Sequence, residues 1–124
     1  MSDTHRILIV DDEEIVCQRL QPPLERLGLE VETFTDSSAA AKRLRARRFD
    51  VLVTDLKMAK PDGLELLRLV SEISPSTHVI VITGYPSVDA VREAMKGGAV
   101  DFIPKPFKIS HIRRLIQEVL GLEE

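Results

Sequence analysis

Three runs of four residues, Ile7 to Val10 (ILIV), Val51 to Thr54 (VLVT) and Val79 to Ile82 (VIVI), hold only β-branched residues and leucine, and each stops abruptly on polar residues. Runs so short and so continuous read as strands buried on both faces, the kind found where helices cover both sides of a parallel sheet. Two weaker strands complete the set. Leu29, Val31 and Thr33 alternate with Glu30, Glu32 and Phe34, which suits a half-exposed strand near a sheet edge. Asp101 to Pro104 contains a proline that cannot donate to a ladder, so this strand also belongs at an edge.

Helical periodicity fills every gap between these strands. Val16, Leu20, Leu24 and Leu27 recur up to Gly28, and their register passes without a slip through Pro22 and Pro23, so one kinked helix is predicted. Asp36 or Ser37 caps a second helix, Ser38 to about Arg47, on Ala40, Ala41 and Leu44. Leu66, Leu67, Val70 and Ile73 make the inner face of a third, which stops before Ser74. Val88, Val91 and Met95 outline a fourth, closed by Gly97 and Gly98. Ser110 caps a fifth carrying Ile112, Leu115, Ile116 and Val119. Five strands alternating with five helices, joined by right-handed crossovers, predict an α/β fold: a doubly wound, flavodoxin-like (βα)5 single domain with a parallel sheet in the order 2-1-3-4-5.

At 124 residues the chain is one domain of ordinary size, and 44% apolar and 30% charged residues fit a soluble globular protein. No run approaches the roughly 18 apolar residues of a membrane span. The amino terminus has too few apolar residues for a signal peptide, and Cys17 is alone, so a cytoplasmic location is expected. A formal charge of −3 argues against direct nucleic-acid binding. Lys42, Arg43, Arg45, Arg47 and Arg48 read as a solvated face favoured by the helix dipole, with a docking patch as the alternative. After Leu120 only GLEE remains, so no output domain is expected in this chain.

In a sheet of this order, ligands bind beyond the carboxyl ends of the strands, at the switch point between strands one and three. Strand one delivers Asp11 and Asp12 there, strand three Asp55, strand four Thr83 and strand five Lys105. A strand-end Asp alone is usually a turn former. Three crowded carboxylates instead call for a hard cation or for protons, and an open acidic rim suits Mg2+. A preformed nucleotide or flavin phosphate would need a glycine-rich or hydroxyl-rich loop after strand one, where this chain has four acids. Lys105 either pairs with Asp55 at rest or holds an incoming phosphoryl oxygen, and Thr83 offers a hydroxyl for another. Glu13 and Glu14 are assigned to the first turn of the following helix. Together these parts suit phosphoryl transfer to Asp55.

The acid pair Asp11 and Asp12, the segment DLKM from Asp55 with DG seven residues after it, Thr83 with Gly84, and KPF from Lys105 resemble receiver domains of two-component response regulators. The similarity runs from Ile7 to Leu120. It implies Asp55 as phosphoacceptor, with Mg2+ (or Mn2+) held by Asp12, Asp55 and the Lys57 backbone carbonyl and assisted by Asp11. It implies a sensor histidine kinase or histidine phosphotransfer protein as donor, and a cis peptide before Pro106. It also implies a switch in which Thr83 moves toward the phosphoryl group and Phe102 turns inward. That switch would remodel the surface of the fourth helix, fifth strand and fifth helix, where partners or a second copy dock. Ala59 stands where the family often has proline, and Phe102 lacks the hydroxyl of a frequent tyrosine. Lys57 and Tyr85, two residues beyond Asp55 and Thr83, are predicted to tune the phosphate lifetime.

Two rival readings are a metal-dependent phosphohydrolase acting through Asp55 and an interaction domain independent of phosphorylation. Against the first, Lys57 occupies the position two beyond Asp55 where a second acid would be needed. His5, His78 and His111 lie apart and none pairs with a cysteine, so no zinc site is expected. Cys17 is expected in the core.

Overall fold

A computed structural model describes residues 4–122. Five strands, β1 (Arg6–Val10), β2 (Glu30–Phe34), β3 (Val51–Asp55), β4 (His78–Thr83) and β5 (Asp101–Pro104), alternate with five helices. The helices are α1 (Glu14–Glu25), α2 (Ser37–Ala46), α3 (Gly63–Ile73), α4 (Val88–Lys96) and α5 (Ile109–Leu120). All pairings are parallel and the sheet order is β2-β1-β3-β4-β5, as expected.

The continuous apolar runs are explained by their position. Alternate side chains of a strand point to opposite faces, and here both faces carry a core. Leu8, Val10, Leu52, Val79 and Val81 pack with α2, α3 and α4 through Ala40, Leu44, Leu66, Leu67, Val70 and Ala94. Ile7, Ile9, Val51, Val53, Ile80 and Ile82 pack with α1 and α5 through Leu20, Leu24, Ile112 and Ile116. Each such aliphatic side chain contributes on the order of 2 kcal/mol by leaving water. The edge strands differ as their sequences predict. No residue of β2 is fully buried, and Pro104 on β5 is exposed.

α1 is one element through Pro22 and Pro23. The two prolines cannot donate to the carbonyls one turn back, yet Leu20 and Leu24 remain buried on the same side. The packed face therefore holds the helix together where its hydrogen bonding is thin. Asp36 is the cap of α2, accepting from the Ser38 amide at 2.9 Å, while the Ser37 hydroxyl donates to the Ala59 carbonyl at 2.8 Å.

Three expectations need correction. Ile73 is 47% exposed at the last position of α3, where the helix ends and its backbone passes to the Ser74 cap. Val88 and Met95 are 72% and 44% exposed, whereas Ala94 is the buried residue of α4. This helix sits against the sheet on its small side chains, with Ala90 packed beside Ala94, and turns its larger apolar stripe to solvent. Ser110 is not a cap: α5 begins at Ile109 after Lys108, which makes no side-chain cap hydrogen bond.

Candidate functional site

The register aligns the strand ends. Val10 lies beside Thr54, Asp55 beside Ile82 and Thr83 beside Pro104, so the residues that follow meet along one edge of the sheet. Carboxylate oxygens of Asp11, Asp12 and Asp55 lie within 4.8 Å of one another. Asp11 and Asp55 are buried and Asp12 is exposed. An open pocket of about 680 Å³ lies over them, with Lys57, Tyr85 and Phe107 among its walls.

Two of the three carboxylates are held by backbone. One oxygen of Asp55 accepts from the Leu56 amide at 2.7 Å, and one of Asp11 from the Glu13 amide at 2.8 Å. The Lys105 amide donates to the Thr83 carbonyl at 2.7 Å, extending the β4–β5 ladder far enough to aim the lysine back across the sheet. The Lys105–Pro106 peptide is cis, as is Lys60–Pro61, which sequence reasoning did not single out. The loop after Asp55 is pinned at Ala59 by Ser37 and closed by a reciprocal capping box between Asp62 and Glu65. Gly63 is required where α3 meets β3: a Cβ there would lie 2.2 Å from the Asp55 carbonyl oxygen.

Lys105 is the positive centre. Its Nζ lies 3.3 Å from Asp55 Oδ2, 2.9 Å from Asp11 Oδ2 and 2.5 Å from Glu13 Oε1. Burial alone would lower its pKa, but the Glu13 and Asp11 carboxylates outweigh that and hold it above the ordinary lysine range. Burial raises the pKa of Asp55 and of Asp11 despite the same ammonium. The Lys105 ammonium thus contacts three carboxylates. Among the described residues, Asp11 Oδ2 is the one buried side-chain polar atom with no hydrogen-bond partner, although the ammonium is close enough to share its charge. An excess of buried, incompletely satisfied oxygen donors fits a hard divalent cation.

The structure gathers Asp11, Asp12, Asp55 and Lys105, and places Lys57 and Tyr85 on the pocket wall. Thr83 is fully buried behind it, where its Oγ1 accepts from the Tyr85 amide at 3.1 Å. Phe102 is outside the pocket, half-buried on β5 against the core beneath α4. Glu13 was assigned to the helix and instead reaches Lys105. Its extended backbone, φ −90° and ψ 103°, marks it as the last residue before α1. Four acids in a row give no signal of which one turns inward.

The family model for the response regulator receiver domain matches residues 7–117. The chain belongs to that family. This receiver is 35% identical over 115 residues to the transcriptional regulatory protein ZraR of Klebsiella oxytoca, covering 93% of this chain and 26% of that protein. It is 33% identical over 117 residues to the response regulator protein PilR of Pseudomonas aeruginosa, covering 94% and 26%. The receiver thus spans about a quarter of the length of these curated relatives. Among solved structures, a CheY-like receiver domain protein from Methanospirillum hungatei superposes with a TM-score of 0.91 at 28% identity, covering 96% of this chain and 95% of that one. The beryllofluoride-activated NtrC4 receiver domain dimer superposes with a TM-score of 0.87 at 36% identity, covering 94% and 96%. The receiver is a module of two-component signalling, and none of its described helices is long and apolar enough to cross a membrane.

Proposed function

We propose that this receiver accepts a phosphoryl group on Asp55 from a sensor histidine kinase or histidine phosphotransfer protein. The observation that carries the reading is the meeting of Asp11, Asp12 and Asp55 within 4.8 Å, with Lys105 3.3 Å from Asp55. In the transfer an Asp55 oxygen forms the new bond to phosphorus. The bond from phosphorus to the donor imidazole nitrogen breaks, and its electron pair stays with the nitrogen. Asp11, Asp12, Asp55 and the Lys57 carbonyl would hold Mg2+ or Mn2+, which when bound neutralises charge on the phosphoryl oxygens. The chain's own part is to fix Asp55 through the Leu56 amide and to supply the Lys105 ammonium and Thr83 hydroxyl to the transferred group.

The resulting dianion biases a two-state equilibrium. Thr83 leaves the Tyr85 amide for the phosphoryl group, Phe102 turns toward the space vacated, and the α4–β5–α5 surface changes. That surface already exposes Val88 and Met95, which supports its use by a partner or a second copy. This receiver is read as a cytoplasmic switch that turns over only its own phosphoryl group, with its output in transcription as the names of its relatives suggest. Incubation with Mg2+ and a small acyl phosphate, followed by intact mass, tests the assignment. Wild type is expected to gain one phosphoryl adduct and Asp55→Asn none; an equal adduct on both, or none on wild type, overturns it.

A further inference from the structure

We propose that Glu13 is a positioning residue that parks Lys105, so that engagement of the phosphoryl group requires the ammonium to exchange Glu13 for a phosphoryl oxygen. The inference rests on Asp55 being the phosphoacceptor. The ammonium sits among three carboxylates: it donates to Glu13 at 2.5 Å and to Asp55 at 3.3 Å, and it pairs by charge with Asp11 at 2.9 Å. A phosphoryl oxygen arriving on Asp55 adds a further anion to a shell that three carboxylates already fill around one ammonium, so one of them gives way.

Burial decides which. Asp11 is fully buried, so its carboxylate cannot turn out to water when the ammonium moves. Asp55 carries the incoming group and keeps the lysine beside it. Glu13 is 57% exposed, so its carboxylate returns to water at little cost. It is also the nearest of the three, which makes it the contact that holds the side chain toward α1 at rest. The extended backbone of Glu13 directs its carboxylate over the strand end, a placement that Glu14, inside α1, does not share. The exchange makes and breaks no covalent bond. Its effect is a threshold: the resting domain is stabilised by a contact that the engaged domain gives up.

Beryllofluoride with Mg2+, an inert phosphoryl mimic, reads the exchange without turnover, and Tyr85, the only tyrosine in a chain without tryptophan, reports occupancy by its fluorescence. Glu13→Gln is expected to bind the mimic about threefold to tenfold more tightly than wild type, the size of one half-exposed charged contact. Glu13→Asp, which keeps the charge but falls one methylene short of Lys105, is expected to behave like Glu13→Gln. In nitrogen-labelled protein the Lys105 ammonium resonance should differ between wild type and Glu13→Gln at rest and converge once the mimic is bound. Unchanged or weaker binding by Glu13→Gln overturns the inference. So does wild-type behaviour of Glu13→Asp, which would reduce the effect to charge near the pocket, or a Lys105 resonance that stays different in the bound state. If wild type takes up no mimic and no phosphoryl adduct, the Asp55 assignment fails first and this inference falls with it.

Discussion

Lys57 places its ammonium 5.1 Å from the centre of the Tyr85 ring, so side chains from the loops after β3 and β4 meet over the mouth of the Asp55 pocket. The contact is a cation–π pair worth about 0.5–1 kcal/mol at an exposed site. It narrows the approach of water to any acyl phosphate below. Replacing both residues by alanine is expected to speed loss of the Asp55 adduct about threefold to tenfold, a barrier change of the same order. Decay of the adduct after donor removal, followed by intact mass, checks this; an unchanged rate would remove the pair from any account of phosphate lifetime.

Thr83→Val should separate uptake from switching. The substitution keeps the buried shape but leaves the Tyr85 amide without its 3.1 Å acceptor, a loss of about 1 kcal/mol in resting stability. The variant is expected to form the adduct on Asp55 while losing most of the shift changes that phosphorylation causes in α4 and β5. Amide spectra of both proteins, with and without donor, decide it. A full response from Thr83→Val would show that the hydroxyl carries no part of the switch.

Gly63→Ala probes how tightly the site is built into the backbone. The added methyl would lie 2.2 Å from the Asp55 carbonyl oxygen and 2.8 Å from the Leu56 Cα, both rigid groups, so α3 must move away from β3. Overpacking of this kind costs about 3 kcal/mol, and the movement shifts the loop that contains Lys57. Urea unfolding should show the loss, and Mg2+ should bind more weakly. Wild-type values for both would mean that the junction yields more easily than its geometry implies.

Asp50 gives a pH signature away from the pocket. Burial alone would raise its pKa, but the Arg6 amide at 2.8 Å and the Arg48 guanidinium at 2.8 Å hold it below the ordinary carboxylate value of 3.8. A depressed folded pKa contributes stability that is present above about pH 3.8 and is lost as pH falls through the folded value. Asp50→Asn is therefore expected to be about 1 kcal/mol less stable than wild type at neutral pH. The gap should close in acid below the depressed pKa, as denaturant unfolding across pH would reveal.

The sheet was readable because ILIV, VLVT and VIVI need cover on both faces, and because the weak strands could only be edges. The pocket followed from the same logic, since a polar residue directly after a buried strand emerges where its neighbours emerge. α4 was not readable in this way. Periodicity marks Val88, Val91 and Met95 as a stripe, but a helix lying close to a sheet through Ala90 and Ala94 leaves Val88 and Met95 outside and Val91 half-buried. Glu13 escaped for a different reason: its role depends on a backbone angle at the helix start and on a lysine 92 residues later in the chain.

The ammonium that completes the pocket comes from the residue directly after the last strand, whereas the acids it faces come from the first and third. During synthesis, a ribosome that has released β1 to β4 has produced the anionic half of the site without its counter-charge. A chain truncated before Lys105 would therefore carry the acids of the pocket without the ammonium set among them. The sheet order thus makes charge balance in the pocket wait for the last strand.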